Sequence, residues 1–192
     1  MDQPGLPTLI ADIVRAIAPI DQLEAEHLHA TLTWIESGAP LFRTQKPATP
    51  SPHLVAYFVL FDPRQQQVLL VDHKAAGLWL PSGGHVEPGE HPCTTVTREL
   101  REELYLDAHF YQDAPLFLTV TETIGAGTRH TDVSLWYVLQ GDSAVTPAYD
   151  PTEFHGVAWF PLDGLPFSRT DPHLARFVAK LQSLKFSTTP YS

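Results

Sequence analysis

The chain has 192 residues, 43% of them hydrophobic, which suits one globular domain with a sizeable core and room for an appendage. Its formal net charge of −10 argues against a nucleic acid duplex as partner, while a small phosphorylated metabolite carried with its own cation stays compatible. The single cysteine excludes an intrachain disulfide, and with no basic leader after Met1 and no apolar run of ~18 residues the expectation is a cytoplasmic chain with no membrane partner.

Two helical segments come first. Residues 6–17 carry Leu9, Ile10, Ile13, Val14 and Ile17 near helical spacing, and Pro19 closes the segment. Residues 21–35 form a second helix, with Asp21 at the N-cap, Glu24 at capping-box spacing and Gly38 ending it; Leu23, Leu28, Leu32 and Ile35 are its apolar stripe. Both stripes need burial, on the same chain or on a second copy, so monomer and homodimer both stand. The run 46–52 holds three prolines and reads as an extended connector. The boundary is placed there, dividing an N-terminal helical extension, 1–46, from a main domain, 47–192.

The main domain opens with a strand over 53–61, a turn at Asp62-Pro63-Arg64, and a return strand over 68–73. A short strand, 77–81, leads to a turn at Gly83-Gly84, and a helix starts near Pro92, where a missing N–H does no harm. Strands are expected over 108–112, 116–124 and 132–140, with Gly125-Ala126-Gly127 as a hairpin turn, then a strand over 157–160. A closing helix over 171–184 has Leu174, Phe177, Val178 and Leu181 as its stripe. The order is α+β, a mixed sheet with helices against it.

The helix after Pro92 carries the chemistry. Glu99, Glu102 and Glu103 stand at i, i+3 and i+4, so one helical face bears three carboxylates that repel one another. A hard divalent cation reverses that sign, because Mg²⁺ prefers oxygen ligands shared between carboxylates and substrate phosphates. A solvated acidic face above the buried stripe Val96, Leu100 and Leu104 is the plainer explanation of any isolated E-x-x-E-E. The glycine turn before the helix, Pro88-Gly89 and Arg98 weigh against it.

Residues 84–106 resemble the Nudix box, G-x5-E-x7-R-E-U-x-E-E-x-G-U with U a bulky aliphatic residue. Gly84, Glu90, Arg98, Glu99, Leu100, Glu102, Glu103 and Leu106 fall on the pattern, and Tyr105 replaces its last glycine. Chance agreement at the six polar or glycine positions is on the order of 10⁻⁷ per start site at ordinary residue usage. The resemblance implies a Nudix-type α/β/α sandwich and a Mg²⁺-dependent hydrolase, with Mn²⁺ as the alternative ion. It assigns Glu99, Glu102 and Glu103 to metal together with the carbonyl of Gly84 or Gly83, and Glu99 or Glu102 to catalysis. It makes Glu90 and Arg98 a pair that orients those carboxylates. The implied reaction is hydrolysis of a phosphoanhydride in a nucleoside diphosphate linked to another moiety, a nucleotide derivative being the expected partner.

Beyond the box, Glu153 precedes the 157–160 strand, where some relatives place an extra acidic ligand; an ordinary loop glutamate is the alternative. Lys74, Trp79 and Arg129 are candidate substrate contacts, though Trp79 fits a core equally well. Of the histidines, His73, His85, His91, His130 and His155 show neither H-E-x-x-H nor H-x-x-E-H spacing, so surface or core roles are expected, with His85 beside the glycine turn the one worth mutating. Cys93 reads as buried and inert. Tyr105 leaves the helix end as either a left-handed tyrosine or a different termination. Two other functions remain: a nucleotide-sensing module without turnover, and an isopentenyl-diphosphate isomerase-like enzyme. The markers that sort the family by substrate are absent from Thr119-Val120-Thr121-Glu122-Thr123.

Overall fold

The computed structural model describes residues 5–45, 49–125, 128–184 and 186. The boundary placed at 46/47 and Ala126-Gly127 of the expected hairpin turn lie outside the described residues. The elements run α1 (Leu6–Arg15), α2 (Gln22–Glu36), β1 (His53–Asp62), β2 (Gln67–His73), β3 (Leu78–Leu80), β4 (Ser82–His85), α3 (Pro92–Leu104), β5 (Phe117–Gly125), β6 (Thr128–Gln140), β7 (Phe154–Pro161), a 3₁₀ turn at Phe167–Arg169, and α4 (Leu174–Gln182). No helix among the described residues is long and apolar enough to cross a membrane.

β1 organises the mixed sheet. It pairs in parallel with β6 along nine registered positions, from His53 opposite Asp132 to Phe61 opposite Gln140. On its other edge, Val55–Phe58 pair antiparallel with β4, and Phe61 and Asp62 pair with β2. β5 continues the sheet beyond β6, and β2 pairs with both β3 and β7. A strand buried on both faces needs apolar residues at every position, and β1 reads His-Leu-Val-Ala-Tyr-Phe-Val-Leu-Phe-Asp. Its even-numbered side chains, Leu54, Ala56, Phe58 and Leu60, join a core with α1, α2 and α3. Val59 and Phe61 face the second core, closed by Leu174, Phe177, Val178 and Leu181 of α4. Helices thus cover both faces.

Four sequence expectations are corrected. Residues 108–112 form no regular strand: they run beside the end of β6 that β5, whose pairing stops at Trp136, leaves open. They make an isolated bridge there, Phe110 to Leu139, flanked by Tyr111 N–H to the Val138 carbonyl and Gln140 N–H to the His109 carbonyl. Gly83 and Gly84 do not turn; they lie within β4, opposite Tyr57 and Ala56. The closing helix starts at Leu174, because the Asp171 carboxylate accepts the His173 N–H at 2.7 Å and holds a turn before it. In α2, Leu23 is exposed, while Glu24, Leu28, Thr31 and Ile35 are buried.

α1 and α2 bury their apolar faces on this chain. Ile10 and Val14 are fully enclosed in the first core, and α2 lies along β5. Asp21 caps α2 by accepting the Glu24 N–H at 2.8 Å and also pairs with Arg176 of α4 at 2.6 Å. At the other end of the catalytic candidate helix, Tyr105 takes the left-handed conformation, φ 55°, with its side chain exposed.

Candidate active site

α3 is built to present carboxylates to β4. Pro92 opens the helix, His91 accepts the Cys93 N–H at 3.1 Å, and Val96, Leu100 and Leu104 are buried beneath it. That burial fixes the rotation of the helix and turns Glu99 and Glu103 toward the glycine strand. Gly84 is required there: a Cβ would lie 1.9 Å from Glu99 Oε1. Gly83 is required for a different reason, since φ of 150° is a glycine conformation and a Cβ would lie 2.3 Å from the Ala56 carbonyl oxygen. Ser82 Oγ donates to Glu103 Oε2.

The carboxylates differ in environment. Burial raises the Glu99 carboxyl above its usual range, the nearby charges of Glu102 and Glu153 add to the rise, and Arg98 opposes it. Burial pushes Glu103 up to about 8, reinforced by Glu99 and Glu153 and opposed by Ser82 and the Gly83 N–H. Glu102 is the exposed member, 3.4 Å from Arg98. Mutually repelling carboxyls forced together by burial are the donor set a hard cation fits, and Gly84 leaves its backbone bare beside them.

Arg98 holds the group in place. Its Nε and Nη2 donate to the two oxygens of Glu90 at 3.1 Å each, Nη1 donates to Glu99 at 2.7 Å, and Nη2 reaches the His85 carbonyl at 3.3 Å. Glu90 also accepts from Thr95 Oγ1 at 2.7 Å and from the Glu87 N–H at 3.2 Å. The guanidinium fork therefore links α3, the loop before it and the end of β4. Arg98 is raised further above its ordinary value by Glu90 first and then Glu99, and Glu90 is held low by Arg98 and Thr95 against the effect of its own burial.

Glu153 is exposed, yet its charge acts on Glu99, Glu103 and His73. Its backbone carbonyl accepts the Lys74 N–H at 2.9 Å, and Lys74 Nζ donates to the Pro151 carbonyl. The other substrate candidates do not gather at the carboxylates. Trp79 packs edge-on to Phe160 at 5.1 Å and belongs to the α4-side core. Arg129 pairs with Glu122 at 3.3 Å on the exposed β5–β6 hairpin. Cys93 is half-buried, donates to the Asp113 carbonyl at 3.2 Å, and has its thiol pushed up by burial.

A cavity of about 350 Å³ opens beside this cluster, lined among others by Tyr57, Ser82, Gly84, Glu103, His85 and His130. Sequence spacing does not show that three histidines gather here: His85 and His130 line the wall with Asp132, and the buried His53 lies behind them. His53 Nε2 lies 3.1 Å from His85 Nε2 and 3.0 Å from Asp132 Oδ1, and His130 Nε2 lies 3.5 Å from Asp132 Oδ2. Burial opposes a charged His53, but Asp132 and the Pro50 carbonyl outweigh it and raise the ring above its usual value. Burial, Arg43 and His53 push His85 down to about 3. No spacing rule flags the group, because parallel pairing brings its members together; the alternation His130-x-Asp132 on a strand was the available signal.

The model of the NUDIX domain family matches residues 51–181. A curated relative, the NAD-capped RNA hydrolase NudC of Stutzerimonas stutzeri, is 26% identical over 132 residues, covering 68% of this chain and 45% of that protein. The chain therefore spans less than half the length of that relative. Among solved structures, a NUDIX-family hydrolase from Clostridium perfringens superposes with a TM-score of 0.54 at 20% identity, covering 69% of this chain and 98% of that one. The MutT NUDIX hydrolase of Burkholderia pseudomallei gives a TM-score of 0.50 at 28% identity, covering 65% and 93%.

Proposed function

The chain belongs to the NUDIX domain family, and on that premise we propose that it is a Mg²⁺-dependent hydrolase of the phosphoanhydride bond in a nucleoside diphosphate linked to another moiety. The observation that carries the reading is the contact of Glu99 with Gly84, a carboxylate set where any side chain on β4 would displace it. Glu99, Glu102, Glu103 and the Gly84 carbonyl would hold the cation, with Glu153 able to add a further carboxylate from its loop. When bound, Mg²⁺ supplies positive charge against the phosphate oxygens and makes a water a better nucleophile; Mn²⁺ offers the same chemistry.

The residues do the rest by position. Arg98 and Glu90 keep Glu99 from swinging away, so the ligand geometry exists before substrate arrives. Glu103, anchored by Ser82, presents one oxygen to the cavity side. Glu102 is the carboxylate open to solvent and the better placed of Glu99 and Glu102 to orient an attacking water. Lys74, whose backbone N–H donates to the Glu153 carbonyl, would have to release the Pro151 carbonyl from its ammonium to meet a phosphate held near Glu153. NAD, named in the curated relative's substrate, is two nucleotides joined by a pyrophosphate, which is the bond class proposed.

The test is turnover of a nucleotide panel (dinucleotides, nucleoside diphosphate sugars and nucleoside triphosphates) with Mg²⁺, beside Glu102→Gln and Glu103→Gln. Hydrolysis that both variants reduce by orders of magnitude, with the fold intact, is expected, because an amide oxygen is a poor ligand for a hard cation. Native rates in both at saturating Mg²⁺ overturn the assignment.

A further inference from the structure

We propose that His53, His130 and Asp132, with His85 as fourth donor, form a second cation site that takes a borderline transition metal such as Zn²⁺, separate from the carboxylates of α3. The topology builds it. His53 is registered opposite Asp132 in the parallel β1–β6 pair, and His85 is registered opposite Val55 in the β1–β4 pair. Because side chains alternate along a strand, His53, His85, His130 and Asp132 all fall on one face of the sheet. That face is the one Val59 and Phe61 turn toward α4, whereas Gly84 meets Glu99 on the other. The donor atoms of His53, His130 and Asp132 lie within 4.8 Å of one another.

The protonation pattern asks for a positive centre. His53 is fully buried, and its Nδ1 lies 2.7 Å from the Pro50 carbonyl oxygen, which can only accept. Nδ1 therefore carries the proton, and in a neutral ring Nε2 presents its lone pair. That lone pair faces Asp132 Oδ1 at 3.0 Å, so an acceptor confronts a carboxylate in a buried place. An extra proton or a metal between them would reconcile the two, and the Arg43 guanidinium, whose charge acts on both His53 and His85, is the cation already close by. An imidazole that donates its far N–H to a backbone carbonyl while aiming the other nitrogen inward is the arrangement of a metal ligand. A proton would satisfy the His53–Asp132 contact and leave His85 and His130 as bystanders. The ring of His130 has a buried Nδ1 without a hydrogen-bond partner, so no bond must break for that ring to adjust to a metal.

Distances and softness agree. Tetrahedral Zn²⁺ with bonds of ~2.0–2.1 Å separates its donors by ~3.3 Å. His53 Nε2 has Asp132 Oδ1 at 3.0 Å and His85 Nε2 at 3.1 Å, close to that separation. The donor set of His53, His130 and Asp132 lies within 4.8 Å, so the His130 ring would move inward to complete it. Imidazole nitrogens favour Zn²⁺ and its neighbours, while an all-oxygen set favours Mg²⁺, so the two sites would sort their ions by ligand type. His85, His130 and Asp132 also line the cavity, which provides the entry path. A metal there would tie together β1, β4 and β6 at the end of the sheet nearest the glycine strand.

The experiment uses the full chain, stripped with chelator and titrated with Co²⁺ in excess Mg²⁺, which keeps the α3 carboxylates filled with the harder ion. The expected result is one tight Co²⁺ per chain with the intense visible bands of tetrahedral coordination, displaced by Zn²⁺. Those bands should persist in Glu102→Gln and Glu103→Gln. Affinity should fall by at least ~10-fold in His130→Ala, His85→Ala and Asp132→Asn, as it does for weaker perturbations of metal sites. Because these variants touch the core, imidazole ¹⁵N spectra of the unaltered chain give an independent readout: Zn²⁺ should shift the His53 and His130 nitrogens. Absence of the bands, their loss in the glutamate variants, or a His53 imidazolium unmoved by Zn²⁺ overturns the proposal.

Discussion

Glu24 and Lys180, 156 residues apart in sequence, meet in a 2.6 Å ion pair in which the glutamate is completely buried. Glu24 Oε2 also accepts the Ile20 N–H at 2.8 Å, and Oε1 accepts the Leu118 N–H of β5 at 3.3 Å. One carboxylate therefore joins the start of α2, strand β5 and helix α4. Burial lowers the Lys180 ammonium, and Glu24 only partly offsets it. The N-terminal helices are fastened to the sheet by a charge as well as by apolar packing.

Removing one partner leaves the other charge buried without compensation. Glu24→Ala or Lys180→Ala should each lower stability by about 3–5 kcal/mol. The double variant should fall short of the sum by at least ~1 kcal/mol, because the second truncation removes the stranded charge. Urea unfolding of the four chains measures this, and strict additivity would refute the coupling. A chain starting at Pro47 should unfold more readily still, since it uncovers the surface that Ile10 and Val14 occupy.

At the far end of α3, Tyr105 sits at φ 55° with its ring largely in solvent. A left-handed non-glycine residue costs about 1 kcal/mol, and little packing repays it. Tyr105→Gly should raise stability by about 0.5 kcal/mol after allowing for the freer unfolded chain, and leave hydrolysis unchanged. A lower denaturation midpoint would show that the tyrosine ring contributes contacts that outweigh the backbone strain.

Much of this fold could be read from one sequence. The alternation and apolar runs located most strands, and the stripe Val96, Leu100 and Leu104 fixed which way α3 turns its glutamates. Glu24 was visible only as a capping residue, because its second role depends on Lys180 arriving from the other end of the chain. Non-local pairing likewise hid the His53–Asp132 contact. The glycine pair looked like a turn because glycine permits turns; its use here is to let one strand pass close beneath a carboxylate and beside another backbone.

Asp171 offers a pH-dependent test. The residue is 8% exposed, and burial pushes its carboxyl up to about 6, opposed only by the His173 N–H. A carboxyl raised on folding favours the folded state least when ionised. Its penalty is absent below the unfolded value of ~3.9, grows as pH rises between the two values, and is constant above the folded one. Asp171→Asn, which keeps the acceptor, should match the parent chain near pH 4 and exceed its stability by about 3 kcal/mol at pH 8. Denaturant midpoints at the two pH values decide it; a difference independent of pH would place the effect elsewhere.

The two adjacent glycines of β4 should fail in opposite ways. A Cβ on Gly84 meets the end of a flexible side chain, Glu99, at 1.9 Å, and that side chain can rotate away. A Cβ on Gly83 meets the Ala56 carbonyl oxygen at 2.3 Å and the Tyr57 Cα at 2.8 Å, neither of which can move without separating β1 from β4. Gly84→Ala should therefore fold with nearly native stability but lose hydrolysis by roughly 10²-fold, since a ligand displaced by an ångström no longer holds the reacting groups in line. Gly83→Ala should lose stability by about 3 kcal/mol or more, from the clash and from the strained φ together. Thermal unfolding beside steady-state kinetics separates the two outcomes. A Gly84→Ala chain that hydrolyses at the native rate would mean that Glu99 does its work from some other position, and the contact on which the proposed metal site rests would carry no catalytic meaning.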